Sequence, residues 1–185
     1  LPRRFYERET VTVARELLGM TLIHGGRAGR IVEAEAYPGA YLGQPDLAAH
    51  SSKGVTPRTR VIFGPPGRAY VYLIYGMYEC LNLVTERDGS PGCVLIRALQ
   101  PLEAGGLPMN GPGKLTRAMG IARAAHNGAD VTGRGPLRVA GPAIAEAFEI
   151  EATPRIGIRH CSEWPLRFCI RGSAFVSAGT RRKKF

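Results

Sequence analysis

The chain has 185 residues and a formal net charge of +10, from 25 Lys and Arg against 15 Asp and Glu. Its 24 glycines and 14 prolines exclude a helical bundle or coiled coil and favour short strands joined by turns. That length suits one domain with a real core, and no apolar stretch approaches membrane-spanning length.

In chain order, the pattern predicts a helix over Thr12–Leu18 with Thr12 as N-cap and Gly19 as its stop. Strands follow over Thr21–Ile23, Gly29–Tyr37, Ala69–Tyr75, Met77–Val84 and Cys93–Leu99, with a long functional loop over Gly39–Pro66. A second helix is expected over Lys114–Ala125, a helical turn over Ala143–Phe148, and closing strands over Arg155–Ile158 and Leu166–Ile170. The fold class is therefore α+β: a mostly antiparallel curved sheet, a few short helices and a protruding tyrosine-bearing hairpin. No linker divides the chain, so residues 1–180 are one domain and residues 181–185 a basic tail, Arg181-Arg182-Lys183-Lys184, ahead of Phe185.

Of the 25 cations 21 are Arg, which pairs bidentately with phosphate. The charge alone leaves a polyanionic partner and an Arg-rich genome composition as equal explanations. Cys80, Cys93, Cys161 and Cys169 lack C-x-x-C spacing, and His24, His50, His126 and His160 do not pair with them at ligand spacings. The expectation is a soluble, intracellular protein in a reducing compartment, cytoplasmic and nucleoid-associated if bacterial, with no metal and no cofactor.

Two segments carry chemistry. In Ile31-Val32-Glu33-Ala34-Glu35-Ala36-Tyr37 strict alternation puts Glu33, Glu35 and Tyr37 on one face. Such a face is more often solvated strand than acid/base site, but the adjoining loop holds His50 and the basic stretch Arg58-Thr59-Arg60. The second segment places Tyr70, Tyr72, Tyr75 and Tyr78 around Gly76. Tyr70 and Tyr78 read as packing residues, whereas Tyr75 stands at a hairpin tip, where an aromatic can wedge between base pairs.

These blocks, with Ala48–Ser51, Asn82, Cys93–Ala98, Gly111–Leu115, Ser162-Glu163-Trp164, Leu166-Arg167-Phe168 and Phe175-Val176-Ser177, resemble the alkyladenine (3-methyladenine) DNA glycosylases. The blocks run in order from about residue 5 to residue 177. The resemblance implies a base-flipping enzyme that hydrolyses the N-glycosidic bond of damaged purines (3-methyladenine, 7-methylguanine, hypoxanthine or ethenoadenine) in double-stranded DNA, acting as a monomer away from membranes. By the same resemblance Glu35 is the base that activates water, while His50 and Arg97 help hold that water and the flipped nucleotide. Tyr37, Tyr72 and His50 enclose the base, Asn82 crowds the amino group of normal guanine, Tyr75 is the wedge, and Lys114 contacts phosphate. The only lysines are Lys53, Lys114, Lys183 and Lys184, none within the acidic or tyrosine blocks, so water attack without a lyase step is expected.

The pattern departs from the family in a short connection between Glu103 and Gly111, in Trp164 meeting Pro165 directly, and in Glu79 at a position usually apolar. Two other readings compete. A non-catalytic DNA- or RNA-binding module would use the same basic face and tyrosines. A carbohydrate hydrolase would use Glu33 and Glu35 as a pair, though a single Trp and a +10 charge suit glycans poorly.

Overall fold

A computed structural model describes residues 1–178. The chain opens with two short helices, α1 (Arg3–Tyr6) and α2 (Thr10–Glu16). The strands β1 (Thr21–His24), β2 (Arg27–Pro38), the small pair β3 (Ala40–Tyr41) and β4 (Gln44–Pro45), β5 (Ala69–Ile74), β6 (Tyr78–Val84) and β7 (Gly92–Pro101) follow. Beyond them come α3 (Pro112–Met119), α4 (Arg123–His126), β8 (Leu137–Ala140), β9 (Ile150–Thr153) and β10 (Arg167–Ile170).

One sheet runs β5-β6-β7-β2-β1-β8, and β10 pairs with β2 and β9. Every pairing is antiparallel, and short turns join β1 to β2, β5 to β6 and β6 to β7. Long β2 is the spine: its first residues pair β1, residues 33–35 pair β10, and Gly29–Pro38 pair β7. Ile31, Val32, Ala34 and Ala36 of β2 enter the core with Ile96 and Leu99 of β7, Val13 of α2 and Leu115 and Met119 of α3.

Several expected boundaries move. Glu9, not Thr12, caps α2, accepting the Thr12 N–H. Gly19 at φ +82° does end that segment. The expected helix over 114–125 divides because Gly120, left-handed at φ +68°, caps α3 and the chain restarts as α4. Glu79, the odd residue on the hairpin, explains the restart: its Oε2 accepts the Arg123 N–H at 2.5 Å. Residues 143–148 form no helical turn, and residues 155–158 form no strand. β8 and β9 were not anticipated. Within the long loop, two 3-10 turns occupy His50–Lys53 and Arg60–Phe63. The basic run at 181–184 lies outside the described residues.

Candidate active site

The register of β2 against β7 slips twice, between Ile31 and Glu33 and between Glu33 and Ala34. Val32 on one strand and Arg97 on the other are left without a partner. A bulge re-aims the residue it frees, and Arg97 reaches two carboxylates from there: its Nε donates to Glu33 Oε1 at 3.0 Å and its Nη1 to Glu35 Oε2 at 3.4 Å. The face carrying Glu33 and Glu35 is not solvated. Both side chains are fully buried.

A buried carboxylate must be hydrogen-bonded, and each one is. Glu33 accepts from Arg97, from Arg167 Nε at 2.6 Å, and from the Ser177 N–H and hydroxyl at 2.6 and 2.8 Å. Glu35 has fewer donors: the Ile156 N–H at 2.8 Å on Oε1, and the Tyr37 hydroxyl at 2.9 Å beside Arg97 on Oε2. Burial raises its pKa against the opposing pull of Arg97 and of these two hydrogen bonds. Such a carboxylate is a stronger base than a free one, poised to take a proton.

A cavity of about 790 Å³ opens in front of this carboxylate. Tyr37, His50, Tyr72, Tyr75, Asn82, Arg97 and Lys114 all line it. Glu35 lies one layer behind, covered by Tyr37, Arg97 and Ile156, which touch it and line the cavity themselves. Cys80 and Cys93 also line it. Burial pushes the Cys93 thiol up to about 12 and raises that of Cys80, so both are apolar wall rather than nucleophile.

The aromatic wall is built around β5. His50 stands edge-on to Tyr72, with ring centroids 4.6 Å apart. Its Nδ1 meets the Tyr70 hydroxyl at 2.9 Å. Tyr70 is buried as expected, yet it also orients His50, a role its strand position did not reveal. Burial first, then the charges of Arg58 and Lys53, lowers the His50 pKa to about 4, so the ring is neutral near pH 7. The Arg58 guanidinium lies 5.3 Å from the Tyr72 ring centroid. Asn82 is fixed by its own donor, Nδ2 to the Tyr70 carbonyl at 3.1 Å, and by the Cys93 thiol at 3.8 Å from Oδ1.

At the hairpin tip Tyr75 and Gly76 both have positive φ, +54° and +70°. The Met77 N–H closes the turn onto the Ile74 carbonyl at 3.2 Å. That sign pattern belongs to type I′ turns, which match the twist of the flanking strands. It leaves Tyr75 80% exposed. Tyr78, read as a packing residue, is 51% exposed and packs against Gly113 at the start of α3, where a Cβ would come within 2.9 Å of it. Exposed Met77 completes an apolar tip. Lys114 is exposed with its Nζ on Asn110 Oδ1 at 3.1 Å. Lys53, on the 3-10 turn that begins at His50, also lines the cavity, so two lysines border it although neither lies within the acidic or tyrosine blocks. Among the described residues no cluster of three or more His, Cys, Asp or Glu side chains has metal-binding geometry.

Two groups missed from sequence are the Ile156 N–H and Arg155. The first is a backbone donor and has no residue signature. The second is buried against Asp46, 2.6 Å away.

The family model described as methylpurine-DNA glycosylase matches residues 4–174. A protein of Methanocella arvoryzae named "Putative 3-methyladenine DNA glycosylase" is 50% identical over 194 aligned residues, covering 96% of this chain and 95% of its own. Proteins of the same name from Legionella pneumophila and Anaeromyxobacter dehalogenans are 49% and 48% identical, again across 96% of this chain and across 97% and 86% of theirs. With the match spanning nearly every element from α1 to β10, this chain belongs to the methylpurine-DNA glycosylase family.

Proposed function

We propose that this protein is a monofunctional glycosylase that flips an alkylated or deaminated purine out of duplex DNA and hydrolyses its N-glycosidic bond with water activated by Glu35. The observation that carries the reading is a buried, pKa-raised carboxylate directly behind a cavity roomy enough for a flipped nucleotide and walled by tyrosines and a neutral histidine. Extruding a base costs a few kcal/mol. Stacking on Tyr37, Tyr72 and His50 offsets that cost and favours electron-poor or cationic rings. The exposed Tyr75 tip fills the space left in the duplex.

For a purine already cationic from methylation the leaving group needs no acid. Glu35 takes a proton from water, the water oxygen bonds to C1′ of the sugar, and the C1′–N bond breaks with its electron pair leaving on the base. Ionised Glu35 also stabilises positive charge developing on the sugar. This chemistry requires water to reach Glu35 through the layer of Tyr37, Arg97 and Ile156. Lys53 and Lys114 at the rim are exposed, whereas an amine nucleophile is activated by desolvation. A lyase step is therefore not part of the mechanism.

Duplexes with one 7-methylguanine, hypoxanthine or ethenoadenine, incubated with enzyme in excess, test the reading. The expected products are free base and an abasic site that breaks only on alkali treatment, with no enzyme–DNA adduct trapped by borohydride. Tight binding without base release would favour the non-catalytic module instead, and a trapped adduct would assign Lys53 or Lys114 a covalent role.

A further inference from the structure

Among the described residues, one ion pair has both side chains fully buried: Arg155 with Asp46. Arg155 Nη1 donates to Asp46 Oδ2 at 2.6 Å and Nη2 to Oδ1 at 2.9 Å, and Nη1 also reaches the Ala36 carbonyl at 3.1 Å. A buried pair is weak evidence of a stabilising device, because apolar residues of similar volume generally do as well or better. Its position suggests another purpose. The guanidinium carbon lies 4.6 Å from the Tyr37 ring centroid, and the next residue, Ile156, sends its N–H to Glu35. Tyr37 and Ile156 line the cavity while Arg155 does not, so it backs them from behind. Asp46 in turn accepts the Ala48 N–H at 3.1 Å and opens the turn leading to His50.

We infer that Arg155, locked by Asp46, is a positioning residue that sets both the Tyr37 hydroxyl and the Ile156 N–H against the Glu35 carboxylate. Two of the three donors on that carboxylate lie within its reach, one through ring stacking and one through the adjoining peptide. A planar, bidentate group is needed for this; lysine offers neither the fork nor the stacking plane. The charged groups around Glu35 are Glu33 on its own strand, Arg97 on β7 and Arg155 itself, with Arg167 of β10 bound to Glu33.

The inference rests on the glycosylase reading, so wild-type excision is its first control: an inactive wild type defeats that reading, not this one. The test compares Arg155→Lys, the apolar pair Asp46→Leu/Arg155→Met, Tyr37→Phe, and Arg155→Lys combined with Tyr37→Phe. Single-turnover excision is followed against pH, alongside melting and affinity for a duplex holding a tetrahydrofuran abasic analogue. Arg155→Lys is expected to slow excision by up to about a hundredfold, the scale of a small misplacement of reacting groups. The acid limb should move to higher pH while duplex affinity holds. Combined with Tyr37→Phe the losses should overlap in part rather than multiply fully, since one of the two hydrogen bonds that Arg155 sets is the one Tyr37→Phe removes. The apolar pair guards against a variant that merely fails to fold: it removes the buried charges together and should still melt cooperatively, yet excise slowly. Wild-type rates in that folded pair, or losses that multiply fully with Tyr37→Phe, would overturn the inference.

Discussion

Replacing Tyr37 with phenylalanine removes one oxygen and, with it, the 2.9 Å hydrogen bond to Glu35 Oε2. The ring, its contact with Arg155 and its place in the cavity wall all remain. A hydrogen bond to a charged group is worth about 1.5–3 kcal/mol, equivalent to about one to two pH units in the pKa of its partner. The sign follows from the donor. Tyr37 stabilises the ionised carboxylate, and burial holds its own hydroxyl well above the ordinary range, so it stays a donor. Without it the Glu35 pKa, already raised, climbs further. Excision that depends on ionised Glu35 then needs a higher pH. Below both midpoints the variant should be about ten- to a hundredfold slower, the same free energy expressed as a rate. Above both it should approach wild type. Single-turnover rates across the pH range, with melting to confirm the fold, measure this. An unmoved acid limb, or a loss equal at every pH, would refute the assignment of Tyr37 as a donor to the working base.

Three other outcomes follow. Asn82→Ala frees the space beside the base and removes one side-chain hydrogen bond to the Tyr70 carbonyl, so base release from undamaged guanine should rise while stability falls by about 0.5–1.5 kcal/mol, read by melting. Tyr75→Gly suits the positive φ at the tip and removes only exposed surface; melting should not fall, whereas excision from duplex, but not from single-stranded substrate, should slow. For His50, the unfolded chain takes up a proton near pH 6.5 and the folded site resists until about 4. Stability contributed by the neutral ring is thus present above pH 6.5 and lost as pH falls through that interval, and His50→Gln should flatten the wild-type melting loss between those limits.

Much of the site was legible because its residues follow strand periodicity. Glu35 and Tyr37 alternate with core alanines, and the tyrosines flank a glycine turn. The legible part ended where register slips. Alternation alone made Glu33 and Glu35 look solvated; the double bulge that brings Arg97 onto both depends on how β2 meets β7 and on no local residue type. The Ile156 N–H was invisible for a similar reason, and Arg155 read as strand because its partner Asp46 is 109 residues away. The split of the second helix, by contrast, was written in Gly120. Tyr78 shows the limit of composition: an aromatic in a strand reads as core or cross-strand packing, but this one lies half exposed at the mouth, against Gly113.

The central claim is that Glu35 is the base, and one comparison addresses it most directly. Glu35→Gln keeps the shape and leaves the amide oxygen able to accept the Ile156 N–H while abolishing the proton acceptor. Measured side by side, single-turnover excision of 7-methylguanine should be lost and affinity for the same duplex retained. A cooperative melting transition, measured alongside, confirms that the variant is folded. Excision at the wild-type rate by the folded variant would contradict the account.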